Sequence, residues 1–200
     1  MSDARTYPIR ITGELNQPLS RGLWLIKWLL AIPHFIVLAV LYFAAFFTWI
    51  GTFFGILFTG KYPRTLFDFH VGVLRWTWRV AFYSYSALAT DKYPPFSFEP
   101  GGYPADLSVN YPERLSQGLV LIKWWLLVIP QAIIVSIFQG GSNSSGLVQL
   151  LSLISAVMLL FTGKYPVDLF NLIMGFNRWS MRVYGYMLLF TDDYPPFSLD

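Results

Sequence analysis

The chain is a tandem duplication, and this repeat constrains its fold more than any other sequence feature. A series of motifs occurs twice, in the same order, along the 200 residues. Such a repeat indicates two copies of one structural unit, here 1–100 and 101–200. The matched segments are Tyr7-Pro8 with Tyr103-Pro104, Leu25-Ile26-Lys27-Trp28 with Leu121-Ile122-Lys123-Trp124, Phe58-Thr59-Gly60-Lys61-Tyr62-Pro63 with Phe161-Thr162-Gly163-Lys164-Tyr165-Pro166, and Thr90-Asp91 with Thr191-Asp192.

The composition is typical of a protein embedded in a bilayer. Hydrophobic residues make up 55% of the chain and charged residues 12%, whereas soluble domains are about a quarter charged. The chain also holds 8 Trp, 12 Tyr and 18 Phe, which are residues that bilayer interfaces accommodate. We therefore expect an all-α integral membrane protein. The absence of cysteine excludes disulfides, thiolate metal sites and a cysteine nucleophile.

The apolar stretch of each repeat is too long for one straight crossing. A helix over 22–58 would measure roughly 55 Å, against a hydrocarbon core of about 30 Å. In the second repeat the polar segment 140–146 interrupts this stretch, and lipid-exposed irregular backbone does not occur inside hydrocarbon. The sequence therefore predicts two transmembrane hairpins, one formed by 22–42 with 44–59 and the other by 119–138 with 147–162.

Two further elements are predicted in each repeat. Alternating residues at 9–12 and 106–109 indicate short strands that pair outside the bilayer. The segments 65–90 and 167–190 are amphipathic, and we expect helices that lie in the membrane interface. The alternative is a third crossing in each repeat, with arginines buried in the membrane.

Charge placement favours the interfacial helices. The chain carries 14 Lys and Arg and a net charge of +3. If only the hairpins cross, every Lys and Arg lies on one side, which the positive-inside rule assigns to the cytoplasm. Both termini would then be cytoplasmic, and the parallel repeats would be related by a pseudo-twofold axis along the membrane normal.

The doubled motifs resemble a known family. The unit L-S-x-G-L-x-L-I-K-W, F-T-G-K-Y-P, R-W-x-x-R-V and T-D-x-Y-P-P-F-S is similar to a bacterial integral-membrane family of unknown function, DUF4389, here in two tandem copies. The resemblance covers nearly the whole chain. It implies a bacterial plasma-membrane location, and it implies no activity, ligand or catalytic residue.

Two arginine stripes are the strongest candidate binding sites. Each stripe holds four residues that share one helical face: Asp68, Gly72, Arg75 and Arg79 in the first repeat, and Asn171, Gly175, Arg178 and Arg182 in the second. Guanidinium groups suit phosphate, so we expect these stripes to bind an anionic lipid headgroup. The alternative is interfacial anchoring, with an ion pair between Asp68 and Arg75.

Polar residues also occur within the predicted hairpins. His34 and its counterpart Gln131 each follow a proline near mid-membrane. Polar groups at that depth face the bundle interior and are candidates for a ligand or proton pathway. The alternative is a hydrogen bond between helices. Lys27 and Lys123 are expected to extend to the membrane surface.

No catalytic motif, metal-ligand cluster or cofactor fingerprint occurs in the sequence. The sequence therefore predicts a noncatalytic bacterial inner-membrane protein without a cofactor. Its expected partners are anionic membrane lipids, with a protein partner or a second copy of the chain as further candidates, and no nucleic acid. The alternative function is a small anion or lipid transporter or channel, with its path at the repeat interface.

Overall fold

The computed structural model describes residues 7–141 and 144–200, and most of these residues are helical. The first half contains β1 (Ile9–Gly13), a single turn α1 (Lys27–Leu30), a long helix α2 (Ile32–Thr59) and α3 (Arg64–Tyr83). The second half contains β2 (Ala105–Val109), α4 (Ile129–Gln139), a small hairpin of β3 (Gly140–Gly141) and β4 (Ser144–Ser145), α5 (Leu147–Thr162) and α6 (Val167–Met187). The two predicted strands and the helical nature of the arginine-bearing segments are confirmed.

The predicted hairpin of the first repeat is wrong. The expected turn near 43 lies inside α2, which is one helix of 28 residues. This apolar helix runs antiparallel to α3 along its length. Tyr42 Oη lies 2.8 Å from Thr77 Oγ1, and Thr48 Oγ1 lies 2.9 Å from His70 Nε2. The partner of α2 is therefore the amphipathic helix and not a second apolar arm.

The second repeat has the same arrangement with one insertion. Helices α4 and α5 hold 11 and 16 residues, nearly the 28 of α2. Gly140 pairs with Ser145 in the small hairpin, so the chain leaves the helix and returns to the same point. The Gln149 side chain donates to the Gln139 carbonyl at 2.9 Å, which replaces the interrupted helical hydrogen bond. The described residues 140–141 and 144–146 therefore form the base of a side insertion in a helix.

The F-T-G-K-Y-P motifs form the sharp turns between paired helices. Gly60 and Gly163 end α2 and α5 in the left-handed conformation, with φ of 67° and 72°. Glycine is favoured there because other residues meet a steric penalty. Pro63 and Pro166 then precede α3 and α6 in extended conformation, which starts the next helix in the opposite direction.

A two-stranded sheet holds the halves together. Strands β1 and β2 are antiparallel, with Ile11 opposite Leu107. The strand of each repeat packs on the arginine-bearing helix of the other, β2 on α3 and β1 on α6. The main core lies between the sheet and these two helices, and it includes Trp78 and Phe82. The fold is thus layered, with the sheet, then α3 and α6, and then the apolar helices.

The apolar helices leave a large hydrophobic surface uncovered. Among the described residues, α2 is the one helix long and apolar enough to span a membrane. Its most apolar stretch has a mean hydropathy of 2.1 and is only 11% buried. The exposed side chains include Phe43 at 70% and Phe58 at 74%. Such a surface is far more apolar than a soluble monomer normally exposes.

Candidate functional site

The arginines of the first stripe hold the sheet against α3, with Arg79 buried and the Arg75 side chain 12% exposed. Arg75 donates to the Leu107 carbonyl at 2.9 Å and to the Phe98 carbonyl at 2.6 Å. Arg79 is 0% exposed and donates to carbonyls of the segment 97–101, including that of Glu99 at 2.8 Å. Backbone carbonyls therefore occupy most of the guanidinium donors in this half.

A carboxylate of the sheet forms ion pairs with both of these arginines. Asp106 on β2 lies 3.0 Å from Arg75 Nε and 3.3 Å from Arg79 Nη2. Asp68 instead pairs with Arg64 at 3.1 Å, with its side chain 56% exposed. The expected pair between Asp68 and Arg75 is therefore wrong, and Asp68 lies outside the buried cluster. Asn171, its counterpart, is exposed on α6.

The arginines of the second stripe make fewer hydrogen bonds than those of the first stripe. Arg178 Nη1 reaches the Leu199 carbonyl at 3.5 Å, against 2.6 Å for the matching bond of Arg75. Arg182 is 4% exposed and donates through Nη2 to the Asp200 carbonyl. Its Nη1 is buried and has no hydrogen-bond partner among the described residues. Burial lowers the pKa of Arg182 from its ordinary value, as it does for Arg79.

A cavity of about 420 Å³ lies beside these arginines, between β1 and α6. Arg10 of β1 and Arg178 and Arg182 of α6 line it, together with Asp200 and apolar side chains of both elements. The Asp200 carboxylate accepts a hydrogen bond from Ser198 Oγ at 3.2 Å. Three guanidinium groups and the Asp200 carboxylate thus line the cavity.

His34 and Gln131 occupy equivalent positions, as expected. Both are 0% exposed. Trp76 Nε1 donates to His34 Nδ1 at 3.0 Å, and Trp179 Nε1 donates to Gln131 Oε1 at 2.6 Å. The Phe96 ring stacks on the His34 ring with centroids 4.0 Å apart. Each residue therefore joins an apolar helix to its amphipathic partner, as the hydrogen-bonding alternative predicts.

The structure corrects the prediction for the two lysines. Lys27 and Lys123 are 1% and 0% exposed, not extended to a surface. Lys27 Nζ lies 3.1 Å from Asp91, and Lys123 Nζ lies 2.7 Å from Asp192. Each carboxylate also accepts a backbone N–H, from Ser20 at 2.5 Å or Ser116 at 2.6 Å. The sequence does carry an indication of these ion pairs, because the lysine and the aspartate are both present in each repeat.

No cluster of three His, Asp or Glu side chains suited to a metal ion occurs in 7–141 and 144–200. The fold and the site define a class of duplicated helical protein. Each half pairs an apolar helix with an arginine-bearing helix, and the halves exchange one strand.

The chain belongs to the family described as domain of unknown function DUF4389, which matches residues 20–97 and 119–198. The family resemblance and its presence in two tandem copies are thereby confirmed. No curated protein and no solved structure matches the chain significantly.

Proposed function

We propose that this is a noncatalytic membrane protein that binds an anionic lipid through Arg178 and Arg182 at the cytoplasmic face of the bacterial plasma membrane. The observation that carries the proposal is a buried Arg182 donor without a partner, on a helix that packs against α4 and α5, whose apolar side chains are largely uncovered. Packed helices are about 8–10 Å apart. This distance is similar to the distance between the outer acyl region and the headgroups of a lipid leaflet.

The antiparallel pairing of α2 and α3 limits how they can meet a bilayer. Because they pack along their lengths, both cross the membrane or both lie along it. The sheet packs against α3 on the side away from α2, and its outer face carries exposed Arg10, Thr12 and Ser108. These polar groups are costly in hydrocarbon. If both helices lie parallel to the membrane plane, these polar groups stay in water. We therefore propose this orientation in place of the four crossings expected from hydropathy.

In this orientation each layer meets a suitable environment. The apolar helices α2, α4 and α5 lie in the acyl region of one leaflet, α3 and α6 lie at headgroup depth, and the sheet faces water. A protein bound in this way is anchored by buried apolar area together with attraction to anionic lipid. The net charge of +3 is consistent with the cytoplasmic leaflet, which carries the anionic lipids.

Native mass spectrometry of the detergent-solubilised protein tests the lipid-binding proposal. The wild type is expected to retain phosphatidylglycerol in preference to phosphatidylcholine. The variant with Arg178→Gln and Arg182→Gln should lose this preference, because it loses two charge-assisted donors. The matched control, Lys61→Gln with Arg64→Gln, removes two exposed charges away from the cavity and should retain the lipid. Equal retention by all three proteins would contradict the proposal.

A further inference from the structure

An apolar groove follows α2 where this helix packs on α3. One cavity of about 320 Å³ lies between α2, α3 and the last turn of α6, and Ala45 and Met187 are among the residues that line it. A second cavity of about 380 Å³ lies between α2 and α3 and reaches Phe35. Tyr42 and Thr77 line both cavities, so the two adjoin and follow α2 from Phe35 to Ala45. At about 1.5 Å per residue this part of α2 is roughly 15 Å long.

The polar side chains at the centre of the groove are already bonded within the protein. Tyr42 Oη lies 2.8 Å from Thr77 Oγ1, and Thr77 Oγ1 donates to a carbonyl of its own helix at 2.8 Å. Both ring nitrogens of His70 have hydroxyl partners, Tyr62 Oη at 2.8 Å and Thr48 Oγ1 at 2.9 Å. Since these groups need no polar ligand, the groove suits a hydrocarbon occupant.

The equivalent place in the second half is filled by larger side chains. In the alignment of the repeats, Ala45 corresponds to Val148 and Val73 to Phe176. Val148 is 0% exposed and Phe176 is 9% exposed. The Phe138 ring also packs on the Phe176 ring, with centroids 4.4 Å apart. The first half therefore leaves open a space that the second half fills.

Hydrogen bonds also close the equivalent place. Asn177, the counterpart of Leu74, donates to the Ser86 carbonyl of the other half at 2.9 Å. Gln139 Nε2 donates to Ser180 Oγ at 2.9 Å. Leucine cannot form such a bond from its side chain. The open groove is therefore a difference between two otherwise equivalent halves, which points to an occupant in the first half.

We infer that the groove between α2 and α3 binds one acyl chain of a membrane lipid. The groove meets the uncovered apolar surface of α2, because Tyr42 and Met187 in its lining are 47% and 38% exposed, and Phe46, one turn along α2, is 61% exposed. Its length of roughly 15 Å is half of a hydrocarbon core of about 30 Å, which is the depth of one leaflet. The inference does not rest on the proposed function, because Arg178 and Arg182 line a different cavity.

A thermal shift of the purified full-length protein tests the inference. The protein is held in digitonin, a detergent without a linear chain, and dilauroyl phosphatidylcholine is added. At ten times the dissociation constant, the lipid is expected to raise the melting temperature of the wild type by roughly 3–6 °C. Ala45→Phe should abolish this response and raise the melting temperature without lipid, because the ring fills the space. The matched control Ala44→Phe places the same ring on the exposed side of α2 and should keep the response.

A second variant, Val73→Phe, copies the second half and should behave like Ala45→Phe, so it decides the question if Ala45→Phe does not fold. A response like that of the wild type in either folded variant would overturn the inference, as would a wild type without a saturable response. A response to dodecane with none to phosphatidylcholine would assign the groove to a free apolar molecule. A lipid-free dimer that Ala45→Phe dissociates would assign it to a second copy of the chain. Both results would overturn the acyl-chain inference.

The Arg178→Gln, Arg182→Gln variant separates this inference from the proposed function. It should keep the phosphatidylcholine response, because this lipid has no net charge and the arginines lie outside the groove. If the variant also keeps its preference for phosphatidylglycerol, the proposed function fails and the groove stands. If Ala45→Phe keeps the response to phosphatidylcholine, the groove fails and the proposed function stands.

Discussion

Lys27 and Lys123 are single residues whose burial links distant parts of each half. Lys27 Nζ donates to the Thr90 carbonyl at 2.7 Å, and Lys123 Nζ donates to the Thr191 carbonyl at 3.0 Å. Burial lowers the pKa of Lys27, and the Asp91 carboxylate opposes this shift. The same two causes act on Lys123. Each ammonium group therefore depends on its carboxylate to remain charged within the protein.

Removing one carboxylate should destabilise the fold. Asp91→Asn leaves Lys27 buried without a counter-ion, and we expect the free energy of unfolding to fall by about 2–3 kcal/mol. This figure allows for the 26% exposure of the Asp91 side chain. Urea unfolding in detergent measures the change. The control Asp68→Asn breaks an exposed pair and should cost less than about 1 kcal/mol.

The loss in Asp91→Asn should depend on pH. A lowered lysine pKa means that the folded state binds fewer protons than the unfolded state between the two pKa values, so stability from this group rises with pH. Because neutral Lys27 needs no counter-ion, the deficit of the variant should shrink as the pH rises towards about 10. A deficit that stays constant from neutral pH to that point would show that Asp91 acts mainly through the Ser20 N–H.

At the scale of elements, the 140–146 insertion explains how two unequal repeats share one fold. Lys27 precedes Lys123 by 96 positions, whereas Phe58 precedes Phe161 by 103. The second repeat therefore has seven extra residues, and those that the structure describes, 140–141 and 144–146, lie between α4 and α5. Because the hairpin starts and ends at one point of the helix, it leaves the contacts of α4 and α5 with α6 in place.

Deleting 140–146 should give a protein that keeps its fold. The Gln139 carbonyl would then accept from the backbone N–H of Leu150, as in a continuous helix. We expect unchanged helicity by circular dichroism and a change in unfolding free energy within about 1 kcal/mol. In contrast, deleting Leu150 and Leu151 rotates the rest of α5 by about 200° and should unfold the second half. Similar losses in both variants would contradict the side-insertion interpretation.

For the whole molecule, the orientation of the helix layers in the bilayer decides which groups reach water. Thr65 in the first turn of α3 and Lys92 beyond its end are exposed residues. Each also lies near one end of α2. Thr65 follows the turn after Thr59, the last residue of α2. Lys92 precedes Tyr93, whose Oη donates to the Leu30 carbonyl at 2.9 Å, just before α2 begins. One pair of positions therefore reports on both helices.

Labelling single cysteines at these positions tests the orientation, since the chain has no natural cysteine. A membrane-impermeant thiol reagent is applied to intact cells carrying Thr65→Cys or Lys92→Cys. We expect neither position to react until the inner membrane is opened, because the helices lie along the cytoplasmic leaflet. Reaction of one position alone from outside would mean that α2 and α3 both cross, which would remove the parallel orientation.

The sequence by itself determined the duplication, the two strands, the arginine stripes and the equivalence of His34 with Gln131. These features follow from local periodicity and repeated motifs, which act over a few residues. Only the tertiary structure showed that α2 is continuous and pairs with α3, because apolar length does not specify a helix partner. It also showed that Asp106, not Asp68, pairs with Arg75. That carboxylate comes from the other repeat, so no helical spacing within the stripe could indicate it.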